Sequence, residues 1–365
     1  MSGNREPTVL QLFLTFLRLG ITAFGGPAMV AYIRREAVER QRWLEPRQFD
    51  DGVALCQMIP GATAMQTATY VGLSTRGVAG AAASFIGFGL PAFVLMLALS
   101  AAYVRTHELP AVVALFKWLA AVIVAIVANA TWSFGKRTAR DLRRALISAA
   151  AAAAFAWGVH PFLVIVLAAL AGLMLAAPAQ DTGTTGGDSW HAALAILGVA
   201  AAGFAVLFFA DRQLFRLAAM MFRIDLFAFG GGFASVPLML HEVVNARRWL
   251  DDATFMNGIV LGQITPGPIV ITATFVGYLV RGLPGAAIAT VSVFLPSFLL
   301  VLATTPYFHK LRALPLFNKL IAGALCSFVG LLLYVTVHFA TKTEWDVPRA
   351  VLAVAAFVAL RLKMR

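Results

Sequence analysis

The stretch Gln57-Met58-Ile59-Pro60-Gly61, running on to Thr67-Ala68-Thr69-Tyr70-Val71-Gly72, occurs twice in this chain. The second copy reads Gln263-Ile264-Thr265-Pro266-Gly267 and runs on to Thr272-Ala273-Thr274-Phe275-Val276-Gly277. Each copy is an apolar segment of membrane-spanning character, interrupted near its middle by Pro-Gly and lined with Gln and Thr. Proline inside a helix removes one backbone donor and clashes with the preceding turn, and glycine loosens the chain further. Two broken helices at matching places in two halves are the sequence signature of a transporter's binding site.

The rest of the composition agrees. Of 365 residues, 60% are hydrophobic and 13% charged, where soluble domains carry roughly 25% charged residues. Mean hydropathy is +0.82. Long apolar stretches recur from end to end, which specifies an all-α polytopic membrane protein rather than a soluble core. The net charge of +12 sits in short loops between apolar spans, where Lys/Arg excess marks the cytoplasmic side, so nucleic acid is not the expected partner. Cys56 and Cys326 lie in separate apolar segments and give neither a disulfide framework nor metal spacing. Arg18 cuts the apolar run Val9–Leu17 and no small-residue cleavage site follows, so the first helix is expected to be retained.

In chain order, Val9–Ile33 reads as the first membrane helix, with Arg18 inside it and Phe24-Gly25-Gly26-Pro27 near its end. Arg34–Asp51 reads as an interfacial or loop segment anchored by Trp43. The broken segment follows and closes at Arg76-Gly77. Val78–Val104, interrupted by Pro91, and Pro110–Phe134 each have spanning length. Lys136–Arg144 carries five basic residues against Asp141. Ala145–Ala177 reads as a hairpin of two short helices turning at Gly158–Pro161. Pro178–Ser189, rich in Gly, Thr and Asp, is a linker. Trp190–Ala210 is a further span, and Arg212–Leu240 repeats the opening helix.

The duplication is legible residue by residue. Arg18 corresponds to Arg223, Phe24 to Phe229, Thr67 to Thr272, Arg76 to Arg281, Gly80 to Gly285 and Pro91 to Pro296, each 205 apart. Glu36/Glu242, Arg42/Arg248, Trp43/Trp249 and Gln57/Gln263 are 206 apart. Trp190–Ala210 has no partner in the first half, so an odd number of crossings would place the second half upside down in the membrane. The expected organisation is a first repeat over 1–177, a linker plus extra helix over 178–210, and a second repeat over 211–365. Together they make roughly 11–13 membrane segments.

These residues resemble the chromate ion transporter family in its two-domain form. The resemblance rests on Phe24-Gly25-Gly26-Pro27, Gln57 with Pro60-Gly61, Thr69-Tyr70-Val71-Gly72, and the second-half partners including Pro266-Gly267-Pro268. It implies a cytoplasmic-membrane protein that exports chromate and confers resistance to it. The family pattern is Pro-Gly-Pro in both halves, whereas this chain has Pro60-Gly61-Ala62 in the first.

A site for a tetrahedral dianion needs concentrated hydrogen-bond donors and positive potential. A helix that restarts after Pro-Gly supplies both through its free N–H groups and its dipole. The candidate binding residues are therefore Pro60, Gly61, Pro266 and Gly267, with Gln57, Thr63, Thr67, Gln263, Thr265 and Thr272 as neutral donors alongside Gln66. The competing role for each Thr and Gln is bonding between membrane helices. Arg18 and Arg223 join the candidates because an Arg within a membrane helix costs at least ~2.5 kcal/mol and calls for a functional partner, the alternative being snorkelling to an interface. Asp225 is placed to partner Arg223 or to couple to protons. Gly25, Gly26, Gly230 and Gly231 are candidates for a second helix break facing the site.

The six histidines show no metal-ligand spacing, and no phosphate-cradling loop is present, so neither a cofactor nor ATP is expected. Expelling a dianion from a negative cytoplasm releases roughly 4.6 kcal/mol per 100 mV, which favours export. The alternatives are a sulfate or related oxyanion carrier, with sulfate as competitor or counter-ion. Two further classes are a membrane-embedded enzyme acting on lipid-linked substrates and a structural membrane subunit. No Ser/His/Asp, paired-carboxylate or metal constellation supports the enzyme.

Overall fold

The computed structural model describes residues 6–24, 27–138, 141–175 and 190–363. Gly25, Gly26 and the linker expected over Pro178–Ser189 lie outside the described residues. Within them the helices run in this order: α1 Val9–Thr22, α2 Pro27–Arg34, α3 Pro46–Met58, α4 Thr63–Thr106, α5 Pro110–Thr138, α6 Leu142–Ala156, α7 Pro161–Ala171 and α8 Trp190–Ala210. They continue with α9 Arg212–Leu226, α10 Ser235–Met239, α11 Asp252–Ile264, α12 Thr272–Thr304, α13 Phe308–Ala313, α14 Pro315–Lys342 and α15 Val347–Lys363. No strand occurs among the described residues. Five helical stretches have the length and apolar composition for membrane crossing: Thr63–Thr106, Pro110–Lys136, His191–Ala210, Ile269–Tyr307 and Pro315–Lys342. α8 exposes large apolar side chains such as Val199, Val206 and Phe209, as lipid-facing helices do. The chain is an all-α, multi-pass membrane protein.

Two compact units form, and each draws segments from both sequence halves. The first contains 1–100, 180–232 and 262–313. Its dominant feature is a pair of helical hairpins hidden within α4 and α12. Arg76 (φ −141°, ψ 26°) and Gly77 (φ 60°, ψ −151°) leave helical geometry, and so do Arg281 (φ −149°, ψ 26°) and Gly282 (φ 62°, ψ −148°). The chain reverses there. Gly72 and Gly80 back directly onto each other's carbonyls, and so do Gly277 and Gly285. Along a straight helix those partners would stand about 12 Å apart. Ser84 Oγ donates to Ala68 O at 2.7 Å across the first hairpin, and Thr274 and Thr290 hydroxyls meet at 2.6 Å across the second. With glycines at the seam the two arms pack backbone to backbone, the arrangement small residues permit between membrane helices.

The short helices have a consequence for crossing. α1, α3 and α9 have 14, 13 and 15 residues, so each reaches only about 20 Å, some two-thirds of a ~30 Å hydrocarbon layer. The expected continuous helix over Val9–Ile33 is therefore two helices. α1 stops at Ala23, whose backbone turns extended (φ −87°, ψ 108°). Trp43 also departs from expectation. Arg42 adopts a left-handed φ of 54° and turns the chain inward, which buries Trp43 to 8% exposure instead of leaving it as an interfacial anchor. Its repeat partner Arg248 has φ 53°. Pro91 does not break α4; the helix runs through it, with Gly20 of α1 packed against Phe88 O and the Pro91 ring.

The second unit contains 101–179, 233–261 and 314–365. α14 runs through its centre against α5, α6 and α7, and α15 lies on α5. The expected hairpin within Ala145–Ala177 is present as α6 and α7, joined through Gly158 at φ 83°. Close approach again falls at glycine: Gly323 meets Ala168 O, and Gly330 meets Ser148 O. Ser148 Oγ donates to Cys326 O at 2.8 Å, and Thr131 meets Thr336 at 2.8 Å. Cys56 and Cys326 are both free and buried.

Gly72→Val drives a branched side chain into the Gly80 carbonyl, and overpacking of this kind costs about 1–3 kcal/mol or more. The expected outcome is loss of monodisperse protein in detergent gel filtration, whereas Ser84→Ala at the same seam retains it. Asp211 caps α9 by accepting from Gln213 N and Leu214 N, and it pairs with Arg281. The Arg281 hydrogen bonds hold its carboxyl below the usual range. This stabilisation is complete above the ordinary carboxylate pKa and is lost as pH falls through the lower folded-state value. Thermal unfolding of wild type and Asp211→Ala should accordingly differ at neutral pH and converge in acid.

Candidate functional site

The two Pro-Gly breaks fall between α3 and α4 and between α11 and α12, and both are buried. Each Gly holds a φ that L-residues rarely adopt, 119° at Gly61 and 110° at Gly267. Each turns its N–H onto a carbonyl from the other sequence half. Gly61 N donates to Ala228 O at 3.0 Å, and Gly267 N donates to Ala23 O at 3.1 Å. Ala228 and Ala23 are themselves repeat partners, 205 apart, and each directly precedes its half's Phe-Gly-Gly. The exchange is reciprocal, the mark of a two-fold relation between equivalent surfaces. The glycine segment that follows reaches both breaks: a Cβ on Gly231 would lie 3.1 Å from Thr63 Oγ1, and one on Gly232 would lie 3.3 Å from Ile269 and Val270.

Around Gly61 the surroundings are polar. Ala62 N donates to Ser297 Oγ at 2.9 Å. Ser297 in turn donates to Asp225 Oδ2 through both Oγ (2.7 Å) and N (2.9 Å). Gln66 Nε2 donates to Pro60 O at 2.5 Å. Gln66, Asp225 and Ser297 are all wholly buried. Around Gly267 the equivalent positions are Ile271, Gly20 and Ala92, and a Cβ on Gly267 would meet Ala92 Cβ at 2.8 Å. The glycine conformation and the reciprocal bonds are shared by the two breaks, and the side chains around them are not.

The helix restarts differ as well. α4 begins at Thr63, and Gln66 N makes its first i→i−4 bond, to Ala62 O at 3.0 Å. The N–H groups of Thr63, Ala64 and Met65 therefore have no acceptor within the helix, and Ala62 offers no side-chain cap. At the second break a 3-10 turn over Ile269–Ile271 intervenes. Ile271 N donates to Pro268 O at 2.9 Å, Thr272 N reaches Ile269 O and Val270 O, and Thr272 Oγ1 covers Ile269 O at 2.9 Å. There the N–H groups left without an acceptor are those of Ile269 and Val270, at the start of an apolar turn.

The expected site residues are thus only partly gathered. Pro60, Gly61, Thr63, Gly230, Gly231, Pro266 and Gly267 belong to the two breaks and the glycine segment between them. Thr67 Oγ1 bonds back to Thr63 O at 2.8 Å, and Thr265 Oγ1 lies 3.9 Å from Met96 sulfur. Gln57 is exposed on α3, and Gln263 is half-buried with Nε2 lacking a partner. Arg18 is exposed at a separate cavity of about 230 Å³, shared with Thr15, Thr22, Arg35 and Arg40. Arg223 is half-buried on α9. Asp225 bonds to Ser297 and makes no ion pair with Arg223. Ser297 was not anticipated. Its signal was the change from Ala92 to Ser297 and from Gly20 to Asp225 at paired positions, two polar gains in one half. No group of three or more His, Cys, Asp or Glu placed to hold a metal occurs among the described residues.

The chain matches the family model described as chromate transporter over residues 10–173 and 215–365. It is 41% identical to an uncharacterized transporter of Methanocaldococcus jannaschii, covering 100% of this chain and 92% of that protein. It is 33% identical to the chromate transport protein of Cupriavidus metallidurans, over 98% of this chain and 89% of that one. With the chromate transport protein of Pseudomonas aeruginosa it shares 30% identity over 96% and 85%. No solved structure matches. With paired breaks, a duplicated backbone and these relatives, the chain belongs to the chromate transporter family.

Proposed function

We propose that this protein is a secondary carrier that exports chromate across the cytoplasmic membrane and so confers chromate resistance. The observation that carries the reading is the restart of α4, where uncapped N–H groups open beside Thr63 and the glycine segment 230–232. The positive end of a helix dipole and convergent backbone donors suit a tetrahedral dianion. The second break, which restarts through a 3-10 turn of isoleucine and valine, serves as the structural counterpart that holds the first in place.

In this reading the two halves cross the membrane in opposite senses, and the short helices on either side of each break cross as pairs. The cavity at Arg18, lined also by Arg35 and by the Arg40–Glu36 ion pair, carries net positive charge that attracts anions toward the protein. Direction follows from charge: with the cytoplasm negative, outward movement of a dianion is downhill by roughly 4.6 kcal/mol per 100 mV. Sulfate, of the same charge and shape, competes for the same donors.

Inside-out vesicles bearing the protein are expected to accumulate labelled chromate when an inside-positive potential is imposed, and sulfate is expected to slow that uptake. Absence of potential-dependent accumulation would sink the export reading, and preference for sulfate would reassign the substrate. Gly61→Ala adds a Cβ that collides with Ser297 Oγ at a strained φ. Chromate uptake should drop by roughly five- to 150-fold, the price of roughly 1–3 kcal/mol of strain at the break. Gln57→Ala, on an exposed position outside the breaks, should change it by less than about twofold.

A further inference from the structure

We infer that Asp225 is a proton-binding site through which oxyanion binding and protonation are coupled; the inference rests on the proposed chromate site at the α4 restart. Asp225 is wholly buried, and its Oδ1 has no hydrogen-bond partner. Gln66 Oε1 is likewise buried and unpartnered. The positions flank one atom: a Cβ on Gly61 would lie 2.7 Å from Gln66 Nε2 and 3.1 Å from Asp225 Oδ2. Two surplus acceptors at one buried locus call for a donor, and a proton on Oδ1 supplies it.

Among the described residues no side-chain cation is bonded to Asp225. α12 carries no ionisable side chain between 284 and 304, and α4 carries none from Thr63 to Thr69. α8, packed on α9, contributes only the exposed His191, and the ionisable neighbour on α9 itself is Arg223, which makes no ion pair with Asp225. A buried carboxylate without a cation is costly. The repeat sharpens the point, because Gly20, Ala92 and Ile271 occupy the equivalent places, and the same glycine φ and N–H bond form there without any charge. The acid is not needed to build the break.

Asp225 reaches the α4 restart through Ser297 and Ala62 N. A dianion there and a carboxylate at Asp225 repel across a water-poor space, whereas a neutral carboxyl admits the anion. By linkage, whatever protonation does for anion binding, anion binding does for protonation. The loaded carrier then moves chromate together with one proton, one net negative charge, so export stays downhill from a negative cytoplasm with half the electrical driving force of the bare dianion; the proton leaves Asp225 for water when the anion departs.

The test uses full-length protein in liposomes with the same pH on both sides, following exchange of labelled for unlabelled chromate over pH values at which chromate stays the dianion. Wild-type exchange should rise as pH falls, approaching roughly tenfold per unit on the alkaline side. Asp225→Asn should show exchange with no pH dependence. In lightly buffered detergent solution, wild type should take up about one proton per chromate bound. Should Asp225→Asn fail to fold, this proton count decides alone. Wild-type exchange that ignores pH, an Asn variant that keeps the slope, a requirement for sodium instead, or no proton uptake would each overturn the inference. Absence of any wild-type exchange would instead remove the chromate reading on which it rests.

Discussion

Two hydrogen bonds organise the first unit: Gly61 N to Ala228 O and Gly267 N to Ala23 O. Each joins a Pro-Gly break in one sequence half to the end of the opening helix of the other. A break in a membrane helix exposes backbone groups that the bilayer cannot satisfy, at several kcal/mol apiece. Here the two interruptions answer each other. The left-handed φ at both glycines follows from that need, since the N–H must turn out of the helix path to find the foreign carbonyl. The extended backbone at Ala23 does the same for the acceptor.

Symmetry of backbone with asymmetry of side chains is the second theme. The dihedral angles at Arg76-Gly77 and Arg281-Gly282 agree within about ten degrees, a spread smaller than the scatter of ordinary regular structure. The frame of hairpins, breaks and left-handed arginines is thus held twice. On it, one break has gathered Gln66, Asp225 and Ser297, while the other kept Ile271, Gly20 and Ala92. A duplicated frame leaves one copy free to supply rigidity while the other takes on polar chemistry. Pro60-Gly61-Ala62 against Pro266-Gly267-Pro268 fits the same division, because Pro268 has no N–H to offer whereas Ala62 gives its own to Ser297.

Much of this was legible in the sequence. The paired Pro-Gly breaks, the close of the first broken segment at Arg76-Gly77, the two short helices after Lys136–Arg144 and the span Trp190–Ala210 were all marked by Pro, Gly or charge, residues whose backbone or solvation demands are strong and local. What was hidden depended on tertiary geometry. The burial of Trp43 turns on a left-handed Arg42, which no propensity announces. α4 passes through Pro91, and Gly20 from a distant part of the chain packs against it there. Arg18 and Gln57 were singled out by residue type within apolar runs, and type alone does not say which face of a helix looks inward. Ser297 and Asp225 are far apart in sequence, and only the fold shows them as one pair.

The reciprocal bonds also bear on how such a molecule could be assembled from less. A polypeptide carrying a single copy of the unit would hold one Pro-Gly donor and one alanine carbonyl, correctly made but unable to meet within the same molecule. Each would find its complement only on a sister chain, so a half-length version would have to work as a pair, and gene fusion would convert that pairing into a covalent certainty.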